Sequence, residues 1–528
     1  VTRLSLKSSR TDRFPEKDQR MTTSPQVKVP ATLQIGVSRP PLPLDDLPTP
    51  EQVFHLPRIG PRELILAVLG PSMIALGVSI GSGEWLLGPL AFGRYGFIGL
   101  GWLITLSALL QTFYNVENAR YTLATGEVPI VGFTRTPPGL RLWAPLTLFV
   151  IYLGWIWGGW ASAAGQSVFA LFAGRTFDPR NATEVETYRV IAVALMFGSL
   201  GIYLFGKKIV RTLEVIDTFL VFFVLGVLIV LAALFAPLSL WGTMLVSIVT
   251  PGALPKGIDA TTLGSIIGYT GFGAGMNFML INYYRDHGYA MGHKVGFFSG
   301  LVGGTKQEVL PSGITFRESA QNTRTWRRWF RFLLIDQWVV FFVGALIGMF
   351  VPSVLAVALT QVPGAGTPDA ANMPVYVATE LSKRAGFFFP FILLLGALVL
   401  FKTQTTVLEM LIRNTTDTAV ALSPRLRGWI GGDPRKFYYL LAFGFIGIIG
   451  IIIHLALPTD LLQISANMAN LASMIYPFVL IYLNTKLPKP ARARWWSILI
   501  LVLNVLFFGF FFVNFVALKA TGRPLVVF

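Results

Sequence analysis

The chain has no cysteine, only four histidines, and charged side chains at just 13% of its 528 positions. Without thiols there are no disulfides, thiolate metal centres or cysteine nucleophiles, and His55, His287, His293 and His454 are too scattered for a histidine-rich metal cluster. No paired acid and base stand out either, so the sequence reads as no enzyme and calls for no cofactor. What fills the space is apolar: 53% hydrophobic residues, with 42 Phe and 13 Trp, the composition of an all-α polytopic membrane protein. A net charge of +17 is compatible with nucleic acid or with a membrane surface, and its placement along the chain decides between them.

Residues 1–60 are basic, proline-rich and without sustained apolar periodicity, and read as a disordered cytoplasmic arm preceding a transporter-like domain at 61–518. Eleven apolar spans follow, at 64–93, 97–124, 143–173, 187–205, 211–236, 262–284, 329–357, 386–412, 437–457, 461–485 and 494–518. Each is long enough to cross a hydrocarbon layer of about 30 Å at about 1.5 Å per residue. With the N-terminus in the cytoplasm, most loop Lys and Arg fall inside, among them Arg120, Lys207, Lys208, Arg327, Arg328, Arg425 and Lys489. Far fewer, such as Arg175, Lys256 and Lys383, fall outside. That bias gives a multi-pass protein of the plasma membrane, N-terminus in and C-terminus out. It also puts the positive charge against lipid, so no nucleic-acid partner is needed. Trp326 and Trp329, beside Arg327, Arg328 and Arg331, read as an anchor at headgroup level.

One stretch organises the rest: 66–96, ILAVLGPSMIALGVSIGSGEWLLGPLAFGRYG. In its apolar middle stand Gly81, Ser82 and Gly83, followed by the carboxylate of Glu84. Irregular backbone at membrane depth is tolerated only where protein buries it or water fills a cavity, so this pattern predicts a broken helix. A second occurs at 262–284, where Gly271, Gly273 and Gly275 precede Met276 and Asn277. Two glycine-interrupted spans in corresponding halves point to the central site of a secondary transporter. The plainer alternative is that the glycines only let helices approach closely, which leaves Glu84 unexplained. Counting from each break gives five spans plus five, a LeuT-like inverted repeat of about 61–236 and about 262–485, with helices 1 and 6 discontinuous and an extra helix at 494–518.

Several pieces resemble the natural-resistance-associated macrophage protein (Nramp) family of metal transporters: LGPSMIALGVSIGSGEW, ARYTLATGE at 119–127, GMNFML, LFKTQTTVLEM and MIYPFVLIYL. The resemblance covers roughly 64–518 and implies alternating access with a metal held between spans 1 and 6. Family members bind Mn²⁺ or Fe²⁺ through a DPGN motif and the Met of an MPHN motif. Here DPGN falls on Gly81-Ser82-Gly83-Glu84, so the Asp is absent and Glu84 stands where the Asn would be; MPHN falls on Met276-Asn277-Phe278-Met279, keeping the thioether and losing the histidine. Some Nramp-related proteins without that Asp carry Mg²⁺ as well as Mn²⁺, and this pattern resembles theirs. The resemblance therefore implies a divalent cation, Mg²⁺ or Mn²⁺, as the cargo.

The candidate site is Gly81, Ser82, Gly83, Glu84, Gly271, Met276 and Asn277, with Lys402, Gln404, Asn467, Asn470 and Glu117 as secondary candidates. A carboxylate, amide and backbone carbonyls suit Mg²⁺, while a thioether beside a carboxylate suits a transition ion; one Met among 12 is also ordinary packing. Lys402 cuts the other way. An ammonium here either substitutes for a coupling cation in a transporter of a small organic solute, such as an amino acid or anion, or pairs with Glu409 or Glu117. A membrane-embedded receptor is the third reading, weakened by the want of a long soluble domain. Phe278 replaces the family's histidine, and 152–165, YLGWIWGGWASAAG, holds no acid or histidine, so the family's proton route is missing. The expected particle is a monomer in lipid.

The charge bias makes a direct prediction. A single cysteine replacing Lys383 is to be labelled by an impermeant maleimide from outside the cell, and one replacing Arg425 only from within; the reverse pattern inverts the topology.

Overall fold

The computed structural model describes residues 43–54, 72, 83–204, 209–270, 276–295, 313–360, 371–431 and 433–526. Apart from one short parallel pairing between β1 (Pro43–Asp45) and β2 (Thr315–Phe316), the described elements are helical. Eight helices among the described residues are long and apolar enough to cross a membrane. Phe219, Leu234, Phe443, Ile451 and Trp495, each more than half exposed, form part of an apolar outer wall that hydrocarbon, not water, must cover. The chain is an all-α polytopic membrane protein.

After α1 (Pro50–Phe54), a π-helical turn at Gly83–Leu87 runs into α2 (Gly88–Tyr95), and α3 (Gly101–Thr125) and the short α4 (Pro129–Phe133) follow. Span 3 is two helices, α5 (Leu140–Trp155) and α6 (Gly159–Ala173). The turn between them places Gly158 at φ +68°, where a side chain would also run into Ile449 and Ile453. Then come α7 (Ala182–Leu204), α8 (Ile209–Phe235) and α9 (Leu238–Val249), the last a short helix in the connection 237–261. Span 6 is helical as α10 (Ala260–Tyr269) and again as α11 (Asn277–Asp286). Next, α12 (Ala320–Ile335) passes through a π-helical segment, Asp336–Phe342, into α13 (Val343–Thr360). The chain closes with α14 (Met373–Ser382), the 35-residue α15 (Phe388–Leu422), α16 (Pro424–Ile430), α17 (Arg435–Ile452), α18 (Pro458–Thr485) and α19 (Trp495–Thr521).

Helix packing follows membrane rules, small residues letting backbones close up and side-chain amides pinning them. A Cβ on Gly264 would collide with the Asn467 amide, and one on Gly268 with the Ala466 carbonyl, so α10 lies directly on α18. Across that seam Asn467 Nδ2 donates to Thr261 O at 3.0 Å, and Asn470 Nδ2 to Gly264 O at 3.0 Å.

At one end of the bundle, residues 43–54 are ordered, although composition assigns 1–60 to a disordered arm. Thr49 and Gln52 form a reciprocal capping box at the start of α1. Leu47 N donates to Asn322, Trp329 Nε1 donates to Pro48 O at 2.7 Å, and Arg328 pairs with Glu51. Trp326 and Trp329, read from sequence as an anchor at headgroup level, are instead buried, 3% and 0% exposed: Trp329 serves this docking, and Trp326 stacks between Phe316 and Phe330. Nearby, the buried Glu127 of the α3–α4 loop accepts from Tyr121 Oη (2.6 Å), Arg135 Nη2 (2.6 Å) and Gly313 N (3.1 Å). Burial alone raises its pKa, but Arg135 and these donors outweigh it and hold the carboxyl below its usual 4.5.

Two outcomes follow. A depressed carboxyl stabilises the fold fully above its unfolded pKa, and that contribution is lost as pH falls through the folded value. Thermal unfolding in detergent is therefore expected to lose stability on acidification below about 4.5; Glu127→Gln lowers stability at neutral pH by about 3–5 kcal/mol and flattens that acid limb. An unaltered acid limb in the variant contradicts the assignment. At the seam, Gly268→Leu is expected to abolish monodisperse protein while Asn470→Ala costs only about 0.6 kcal/mol; a well-behaved Gly268→Leu protein contradicts the close packing.

Candidate functional site

Of the predicted site, Gly81, Ser82 and Gly271 lie outside the described residues, as does the side chain of Glu84. The backbone places Gly83 and Glu84 in the π-helical turn Gly83–Leu87, a geometry that recurs at functional sites. In that turn Trp85 is buried against α15 and α14: a Cβ at Gly396 would lie 3.3 Å from the indole nitrogen and 3.0 Å from Pro374. Lys402, 95% buried, lies further along α15, about 9 Å of helix beyond Gly396 at 1.5 Å per residue.

Met276 and Asn277, both fully buried, begin α11. Asn277 Nδ2 donates to Asn115 Oδ1 and, at 3.5 Å, to Gln111 Oε1, both on α3. Gln111 and Asn115 were not singled out from sequence, yet they stand four residues apart on one face of an apolar helix, a legible polar stripe. They extend the candidate site from spans 1 and 6 to α3.

Gln404 faces the break in span 3. Its Oε1 accepts from Ala161 N at 3.2 Å, supplying one of the donors in the first turn of α6 with a partner. Beside that break Trp155, Trp160 and Tyr269 stack with centroids 5.3–5.5 Å apart, and Tyr269 Oη donates to Ser465, which donates to Gly154 O. The Nε1 atoms of both indoles and Nε2 of Gln404 are buried without hydrogen-bond partners among the described residues.

The other secondary candidates have structural partners. Asn467 and Asn470 clip α10 to α18 as described above. Glu117 pairs with Arg120 at 2.8 Å and accepts from Asn484 Nδ2 at 3.0 Å. Glu409, the other carboxylate considered for Lys402, is held by Arg413 and by Tyr283 Oη at 3.1 Å. It belongs to a buried network that sequence reasoning missed. Arg413 also pairs with Asp286, while Arg285 pairs with Asp286 at 2.8 Å and Asp417 at 3.0 Å, bolting α11 to α15. Its only sequence trace is the i, i+4 spacing of Glu409 and Arg413 within an apolar span.

No protein-family model and no curated protein matches the chain. Solved structures do. The manganese transporter of Eremococcus coleocola, in complex with an aromatic bis-isothiourea substituted compound, aligns with TM-score 0.56 at 14% identity, covering 89% of this chain and 91% of that one. A mutant of the same transporter aligns with TM-score 0.57 at the same identity and coverage. The resemblance read from sequence motifs thus returns as a likeness of three-dimensional structure over nearly the whole chain: this protein has the fold of the Eremococcus coleocola manganese transporter.

Proposed function

We propose that the chain is a secondary transporter carrying a divalent metal cation, Mg²⁺ or Mn²⁺, across the plasma membrane by alternating access. The observation that carries this reading is the fold shared with a manganese transporter across 89% of the chain. In the proposed arrangement eleven spans form a five-plus-five inverted repeat, N-terminus cytoplasmic, with spans 1 and 6 discontinuous at midplane. The end of the bundle that gathers residues 43–54, α12 and the Glu127 loop is then the cytoplasmic face. Among the described residues no group of three or more His, Cys, Asp or Glu is placed to hold a metal. The reading therefore asks one carboxylate, Glu84, to supply the charge, with amide oxygens, backbone carbonyls and retained water completing the shell, a donor set suited to Mg²⁺. Met276 adds the soft donor that Mn²⁺ accepts more readily than Mg²⁺ does.

A second reading has its own support. The indole nitrogens of Trp155 and Trp160 and Nε2 of Gln404, without hydrogen-bond partners among the described residues, are donors that suit the oxygens of an anionic organic solute, and Lys402 on the same helix as Gln404 supplies a cation of the matching sign. The two are separated by charge. Glu84→Gln keeps size and removes the negative charge, so calorimetry on monodisperse protein is expected to show Mg²⁺ and Mn²⁺ binding weakened by a few kcal/mol. Asn277→Ala is expected to cost less, because water can replace a neutral amide. Unchanged metal binding in Glu84→Gln sinks the metal-site reading; absent metal binding together with loss of anionic-solute uptake in Lys402→Met installs the alternative.

A further inference from the structure

The π-helical segment that joins α12 to α13 begins with a carboxylate that the site above does not use. Asp336 is 1% exposed and makes no ion pair with a described residue. Its Oδ2 accepts from Ser72 Oγ of span 1 at 2.5 Å, from Tyr284 Oη of α11, and from Gln337 Nε2 at 3.4 Å. Gln337 Nε2 also reaches Ser72 Oγ (3.1 Å) and Tyr284 Oη (2.9 Å), so four side chains from spans 1, 6 and 7 close one polar knot. Two atoms of the knot are left over: Asp336 Oδ1 and Gln337 Oε1, both buried, both acceptors, and both without a hydrogen-bond partner among the described residues.

A buried carboxylate oxygen without a partner is destabilising, and an uncompensated carboxylate in a membrane bundle more so. A proton on Oδ1 removes that charge. We propose that Asp336 is a proton-binding site, taking one proton from water onto Oδ1 and returning it to water.

The location gives the proton a consequence. Ser72 and Tyr284 belong to the two spans read as broken, and Asp336 starts a π-helix, so the carboxyl's charge bears on three elements that move against one another in alternating access. Among the described residues, the charged pair Arg285 and Asp286, next to Tyr284 on α11, is engaged with Asp417 and Arg413. Tyr284 itself donates to Asp336, and His287 follows at the end of α11. On α3, Glu117 and Arg120 are paired to each other, the α12 arginines at 324, 327, 328 and 331 are exposed, and α13 carries none. This route differs from the family's histidine, absent here, and binding of the proton does not depend on which solute is carried.

The test is an infrared pH titration of the full-length protein in detergent with no transported solute present, so that its failure is separate from failure of the metal reading. The carbonyl stretch of a protonated carboxyl is expected to appear and vanish reversibly as pH is cycled, and to be absent from the spectrum of Asp336→Asn. A titrating band that persists unchanged in Asp336→Asn overturns the proposal. Should that variant fail to fold, Ser72→Ala leaves the carboxyl in place and removes one donor from Oδ2; the band's midpoint must move, and an unmoved midpoint overturns it equally. Replacing N-methylglucamine by Na⁺ is expected to leave the midpoint unchanged, whereas a Na⁺-dependent shift makes this a sodium site and ends the proton assignment.

Discussion

Inside a hydrocarbon layer a helix that stops midway leaves backbone donors and acceptors that only protein can satisfy, and the architecture of this molecule is arranged around that constraint. Span 3 stops at Trp155 and resumes at Gly159; the open N–H of Ala161 is met by Gln404 from α15, and the carbonyl of Gly154 by Ser465 from α18. Span 6 stops at Tyr269; the carbonyl of Ile267 is met by Ser107 from α3 at 2.9 Å, and that of Ile266 by Thr270. Each of these described helix ends is thus met by at least one side chain from a neighbouring helix. The polar residues of α3, α15 and α18, costly in isolation, are required by breaks elsewhere.

The same constraint accounts for the ion network between α11 and α15. Five charged side chains there are at least 94% buried, which is tolerable only because each is paired. Removing one partner leaves an uncompensated charge, so the network fixes the second half of span 6 against the longest helix in the bundle. The first half of span 6 is fixed separately, by glycines and asparagines on α18.

How much was legible beforehand depended on how local the signal was. Span positions rest on runs of apolar residues, and the helices Gly101–Thr125, Ala182–Leu204, Pro458–Thr485 and Trp495–Thr521 lie where those runs place them. Helix α10 ends at Tyr269, with Thr270 extended, while the local marks that predict a break there, Gly271, Gly273 and Gly275, lie outside the described residues. The interruption in span 3 was passed over, although GWIWGG carries a comparable mark at Gly158 and Gly159. Residues 43–54 were assigned to disorder by composition, while Thr49-Pro50-Glu51-Gln52 spelled a capping box. Charge partners were readable only where they are local: Glu409 and Arg413 stand at i, i+4 on α15, but that the fold brings Asp286 to the same place from 123 positions away is encoded by nothing in the pattern of that helix.

The central claim is that this bundle carries a divalent cation, and the direct measurement is flux. Purified protein reconstituted into liposomes loaded with a metal-sensitive dye is predicted to give saturable, protein-dependent entry of Mn²⁺, with Mg²⁺ competing for the same path. Entry no faster than in protein-free liposomes, with binding of an anionic solute by the same preparation, would contradict it.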